Sequence, residues 1–307
     1  MPSSRATPAA ALDAGAIIVQ KQRVSTSLPA FSTSFAAIAP HYEVLLCDVW
    51  GVVHNGVAAT TDACEALRHF RSQGGTVVLI TNAPRPGDYV KGFITRLGVP
   101  NDSYDCIVSS GDVTMALIAE RPGVPVLHLG PARDKPMFDG FDAPLVAVER
   151  AEYIVCSGLF DDTKETPADY DALFGRLAAR GVPMICANPD LVVERGDMLV
   201  YCAGALAAAY AVKGGEVTYA GKPHLPIYER TFAEIARLAG RPVPKERMLA
   251  IGDGLDTDLA GAHAAGLASV FIASAVHLPG EFNATTVADL FATRPFAPIA
   301  ALPALVW

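Results

Sequence analysis

The chain has 307 residues, 51% hydrophobic and 18% charged, which excludes a polar disordered chain and leaves room for one large or two medium folded domains. Its net charge of −8 argues against nucleic acid as a partner, and six cysteines (Cys47, Cys64, Cys106, Cys156, Cys186 and Cys202) without CxxC or zinc spacing argue against a disulfide framework, so a reducing cytoplasm fits. No stretch reaches the roughly 18–20 apolar residues of a membrane span, so no membrane partner is expected.

Residues 1–40 are rich in Ser, Ala and Pro, with Arg5, Lys21 and Arg23 against a single acid, Asp13, and read as an N-terminal extension. An α/β rhythm follows. Short apolar runs predict strands at 44–49, 76–80 and 106–109. Apolar residues at helical spacing predict helices at 61–72, 89–97 and 112–119. Strands are expected next at 124–129, 153–156 and 182–186, with helices at 167–179 and an apolar, buried one at 199–212. The rhythm closes with strands at 217–220, 248–251 and 269–272 and helices at 227–239 and 258–265. Strands alternating with helices imply a parallel sheet with right-handed crossovers. Pro and Gly cluster at 121–123 and Gly at 214–215, so 122–216 reads as an inserted α/β domain between core segments 41–121 and 217–307.

Several segments place polar residues directly after an apolar strand, where an open parallel sheet forms its ligand crevice. Asp48 ends the first strand, either as a turn residue or as a nucleophile toward a phosphoryl group. Thr81 and Asn82 end the second, as a turn or as hydrogen-bond partners of phosphate oxygens. Lys222, between Gly221 and Pro223, supplies a cation in a restricted backbone. Asp253, Asp256 and Asp258 crowd three carboxylates behind one strand, which a divalent cation would relieve; helix capping by Asp256 or Thr257 is the plainer reading, and both can hold. Dinucleotide, Walker, HExxH and nucleophile-elbow patterns are missing from the sequence.

These segments, in this order, resemble the four motifs of the haloacid dehalogenase (HAD) superfamily: Asp48-Val49-Trp50-Gly51-Val52, Thr81-Asn82, Lys222, and Gly252-Asp253 with Asp258. Leu79 to Arg85, Val108 to Gly111, Ala187 to Asp190, Gly204 to Leu206 and Gly221 to His224 are similar to its class IIA, NagD-type phosphatases, in a branch with an Asp-Val-Trp-Gly first motif. The resemblance implies a Rossmann-like core with a parallel sheet plus an inserted α/β cap of class IIA type. It implies Asp48 as nucleophile, and Asp48, the Trp50 carbonyl, Asp253 and Asp258 around Mg²⁺. Thr81, Asn82 and Lys222 would hold the phosphoryl group, with Asn188 and Asp190 of the cap facing a small phosphorylated metabolite, a sugar phosphate or nucleotide-like compound. Members of the class often assemble through their caps, so a homo-oligomer is an expectation, with 199–212 contributing.

Trp50 departs from the family phosphatases, which have there an aspartate that protonates the leaving group and then activates water. An indole N–H only donates, so it cannot take that role. Three readings follow: a phosphatase whose leaving group needs no proton or takes it from another group, His54 being the best candidate; a hydrolase of C–X or P–C bonds, against which the carboxylate cluster argues; and a module that binds a phosphorylated metabolite with little or no turnover.

Overall fold

The computed structural model describes residues 30–31, 34–195, 198–273 and 281–307, so most of the expected 1–40 extension lies outside it. The first strand, β1 (Ala30–Phe31), precedes the segment in which the α/β alternation begins. The first core half runs β2 (Val44–Asp48), α1 (Thr61–Ser72), β3 (Thr76–Thr81), α2 (Gly87–Arg96), β4 (Cys106–Ser109) and α3 (Ser110–Ala119). A middle section follows as β5 (Val126–Leu129), β6 (Tyr153–Cys156), α4 (Asp171–Ala179), β7 (Met184–Cys186), β8 (Val192–Arg195), β9 (Met198–Tyr201), α5 (Ala203–Val212) and β10 (Val217–Tyr219). The chain then returns through α6 (Leu225–Ala239), β11 (Met248–Gly252), α7 (Ala260–Ala265), β12 (Ala268–Ile272), α8 (Ala284–Phe291) and β13 (Ala300–Leu302).

The core is a seven-stranded, all-parallel sheet in the order β1-β13-β12-β11-β2-β3-β4. Every residue of β2 and β11 is buried, because helices cover both faces of a parallel sheet. Successive side chains alternate between two apolar clusters: Leu45, Cys47, Val77, Leu79, Leu249 and Ile251 enter one, Val44, Leu46, Val78, Ile80, Met248 and Ala250 the other. Helix α1 buries Ala63, Cys64, Ala66, Leu67 and Phe70, one face at helical spacing. Helix α3 starts in a capping box in which Ser109 Oγ accepts from Asp112 N at 3.0 Å and Asp112 Oδ2 accepts from Ser109 N at 2.9 Å. The Rossmann-like core expected from the sequence is therefore present.

The cap is a second parallel sheet, β10-β7-β6-β5, with the antiparallel hairpin β8-β9 beside it. Its core joins Phe174 and Leu177 of α4 to Leu206 and Tyr210 of α5. Two sequence expectations need correction. The strand at 217–220, read with the core, is the edge of the cap sheet: Val217, Thr218 and Tyr219 pair with Met184, Ile185 and Cys186, so the return to the core falls at 220–222. The helix read over 199–212 is a strand followed by a helix. Cys202 is extended (φ −106°, ψ 177°), Leu199 is 69% exposed on β9, and only Ala203–Val212 is helical. Residues 167–170 form a 3₁₀ turn ahead of α4, and a single π turn over Leu255–Leu259 precedes α7.

Candidate active site

The carboxyl ends of β11, β2 and β3 lie side by side, which brings Asp253, Asp48 and Thr81 to one edge. The cap returns its chain directly above them: the residue after β10 is the buried Ala220, and two positions on stands Lys222. Its side chain is 3% exposed, and its ammonium donates to Asp48 Oδ1 at 2.5 Å, Asp258 Oδ1 at 2.6 Å and the Ile80 carbonyl at 3.1 Å. All three N–H donors are thus used. Burial opposes its charge, but the Asp258 and Asp48 carboxylates outweigh burial and hold Lys222 well above the usual lysine range. The Asp48 carboxyl is pushed well up by burial and then by Asp258, against the pull of Lys222.

Asp48, Asp253 and Asp258 are all buried, and each offers an oxygen within 4.8 Å of the others. Gly51, at φ +87°, lies so close to the Asp253 carboxylate that a Cβ there would collide with it. Asp258 Oδ2 accepts from Gly254 N at 3.0 Å, which turns its carboxylate back over the strand end. Three buried carboxylates thus crowd one strand edge, with the Lys222 ammonium shared between two of them. Hard oxygen donors so converged fit a divalent cation such as Mg²⁺.

Thr81 Oγ1 accepts from Ala83 N at 3.2 Å, and its residue lines the cleft. Asn82 is placed differently from the expectation that it holds phosphate oxygens. Its Oδ1 accepts from Lys222 N at 2.7 Å, and its Nδ2 donates to Lys222 O at 3.0 Å and to Asp190 Oδ1 at 2.8 Å. Here Asn82 clamps the lysine backbone and ties it to the cap. Asn188 lines the cleft, with its Oδ1 accepting from Asp190 N at 3.0 Å.

A cleft of about 470 Å³ opens between core and cap, lined among others by Trp50, Thr81, Tyr89, Phe93, Asn188 and Tyr201. The Trp50 side chain turns into it and is 40% exposed. His54 is buried between rings, 5.1 Å from Trp50 and 5.8 Å from Phe93, and its Nδ1 accepts from Gly56 N at 2.9 Å. Burial pushes its pKa down to about 4, so at neutral pH it is an uncharged packing group rather than a proton donor. Sequence reasoning missed Arg85, whose Nε donates to the buried Asp134 of the cap at 3.0 Å. Arg85 follows Thr81-Asn82 closely enough to have been a candidate, whereas nothing in the sequence around Asp134 signalled the contact.

Residues 45–143 match the family model of haloacid dehalogenase-like hydrolases, and residues 219–294 match a second model described as HAD-hydrolase-like. A hydrolase of the haloacid dehalogenase-like family from Brucella suis 1330 is 43% identical, with a TM-score of 0.81 over 90% of this chain and 100% of that one. D-glycerol 3-phosphate phosphatase of Mycobacterium tuberculosis is 30% identical over 246 residues, 78% of this chain; the chain spans 65% of that relative's length. The structure of a glycerol phosphate phosphatase from Mycobacterium tuberculosis in complex with calcium shares the fold at 24% identity, with a TM-score of 0.65 over 86% of this chain and 72% of that one.

Proposed function

The chain belongs to the haloacid dehalogenase-like hydrolases, and on that premise we propose that it is a magnesium-dependent phosphatase of a small phosphorylated metabolite, acting through an aspartyl-phosphate on Asp48. The observation that carries this reading is Lys222, buried and shared between Asp48 and Asp258 at 2.5 and 2.6 Å. A lysine so placed keeps Asp48 oriented and neutralises charge that gathers on the equatorial phosphoryl oxygens during transfer. Asp48, Asp253, Asp258 and the Trp50 carbonyl would hold Mg²⁺, which supplies further charge neutralisation when bound. Thr81 contributes its hydroxyl to the phosphoryl group. Asn82 acts one step back, by fixing Lys222. Asp190 joins Asn82 to the cap, so substrate contact from the cap falls to Asn188 and its neighbours.

Asp48 attacks phosphorus, the ester P–O bond breaks, and water then cleaves the acyl phosphate to give inorganic phosphate and the free carboxylate. No carboxylate stands at position 50 to assist either step. That favours, as a second reading, a protein that binds a phosphorylated metabolite with little turnover. One assay separates the two. Phosphate release from an ester panel is expected with Mg²⁺, lost with EDTA and lost in Asp48→Asn. Saturable binding of the esters without release would support the second reading instead.

A further inference from the structure

Trp50 lies two residues from the buried Asp48, yet its side chain reaches the cleft and is 40% exposed. The indole is nevertheless fixed in place. The His54 ring meets it at 5.1 Å and 77°, and Gly56, at φ +84°, lies so close to its six-membered ring that a Cβ there would collide with it. The surrounding walls are apolar and aromatic, with Tyr89 and Phe93 from the core and Val193 and Tyr201 from the cap hairpin. Among the described residues, both arginines that line the cleft already hold an aspartate: Arg85 binds Asp134 at 3.0 Å and Arg133 binds Asp162 at 2.9 Å. A ring-lined cleft whose cations are balanced suits a flat, uncharged group.

Resting on the phosphatase reading of this same site, we propose that the Trp50 indole is the platform for the leaving group. The substrate is a phosphate monoester whose departing group is planar, uncharged and acidic at its ester oxygen, as in an aryl or enol phosphate. The reason is chemical as well as geometric. When Asp48 attacks and the ester P–O bond breaks, the electron pair stays on the departing oxygen. With an indole at position 50 and the His54 ring packed between Trp50 and Phe93, that oxygen leaves as an anion and takes its proton from solvent. An alkoxide does this poorly and a phenolate or enolate well, so the residue that removes the acid also provides a surface that selects substrates able to dispense with it. The second step is less demanding in its leaving group, since breaking the Asp48–phosphoryl bond releases a carboxylate.

The test uses the full chain with Mg²⁺ and a series of substituted phenyl phosphates of graded phenol acidity, together with an alkyl phosphate. Losing a positioned acid costs about 10²–10⁴-fold, so kcat/KM should fall by at least about 100-fold from the most acidic phenol to the alkyl ester. Trp50→Asp should narrow that span by raising the alkyl rate. Trp50→Ala should raise KM for the aryl esters severalfold, up to about tenfold, through lost stacking. Equal kcat/KM for alkyl and acidic aryl esters, or a span unchanged in Trp50→Asp, overturns the inference and leaves the phosphatase reading standing. Absence of phosphate release from every ester overturns the phosphatase reading and this inference with it.

Discussion

Lys222 is the ammonium to which Asp48 and Asp258 both turn, and all three side chains are buried. Removing one partner of a buried ion pair leaves charge uncompensated and typically costs about 3–5 kcal/mol. Lys222→Met is therefore expected to lose phosphatase activity and to unfold at a clearly lower temperature in EDTA. A cation that binds the carboxylates should stabilise native protein by about 2.7 kcal/mol at a hundredfold excess over its Kd. Thermal unfolding of native and variant protein, each with EDTA and with Mg²⁺, checks this; native protein that Mg²⁺ does not stabilise over EDTA would count against the metal reading. At this scale Asp48, Lys222, Asp253 and Asp258 were legible because each is a polar residue directly after an apolar strand or in the turn behind it. The partner of Asn82 was not: Asp190 lies 108 positions away, and no local pattern encodes a hydrogen bond across two sheets. His54 was misleading for the opposite reason, since proximity in sequence to Asp48 says nothing of the rings that enclose it.

The elements divide between those set by local pattern and those set by pairing. Strand β6 and helix α1 fall where apolar spacing placed them, because a buried strand and a half-buried helix advertise their own periods. The 199–212 segment did not, since an unbroken apolar run has neither period and an exposed strand can be as apolar as a buried helix. What decides it is hairpin pairing with β8, in which Val193 faces Val200 and Val192 faces Tyr201. The two halves should respond differently to truncation. Leu199, 69% exposed, should change stability by no more than about 0.5 kcal/mol when replaced by Ser. Leu206, fully buried in the cap core beside α4, should cost about 2–5 kcal/mol when replaced by Ala. Urea unfolding of both variants is sufficient, and comparable losses at the two positions would restore the single buried helix.

Across the whole molecule, the site exists only where core and cap meet. The core supplies the carboxylates and the cap sheet hands over Lys222 at its final strand, so chemistry and substrate wall are assembled from two separately packed units. Among the described residues, polar links hold the units at the site: Asn82 with Asp190 at 2.8 Å is the first, and Arg85 with Asp134 at 3.0 Å the second. The second is the more consequential for stability, because the Asp134 side chain is 2% exposed while the Arg85 side chain keeps 26%. Arg85→Ala strands a buried carboxylate, which costs on the order of 1–3 kcal/mol, more than deleting both partners should. A double-mutant cycle with Arg85→Ala and Asp134→Ala is thus expected to give a coupling energy of at least about 0.5 kcal/mol in unfolding, because the groups are in direct contact. The same pair borders the cleft, so loosening it should raise KM for the preferred ester more than it lowers kcat, since Asp48 and Lys222 are untouched. Additive single effects on unfolding, or a fall confined to kcat, would mean that the link does not hold the cap over the site.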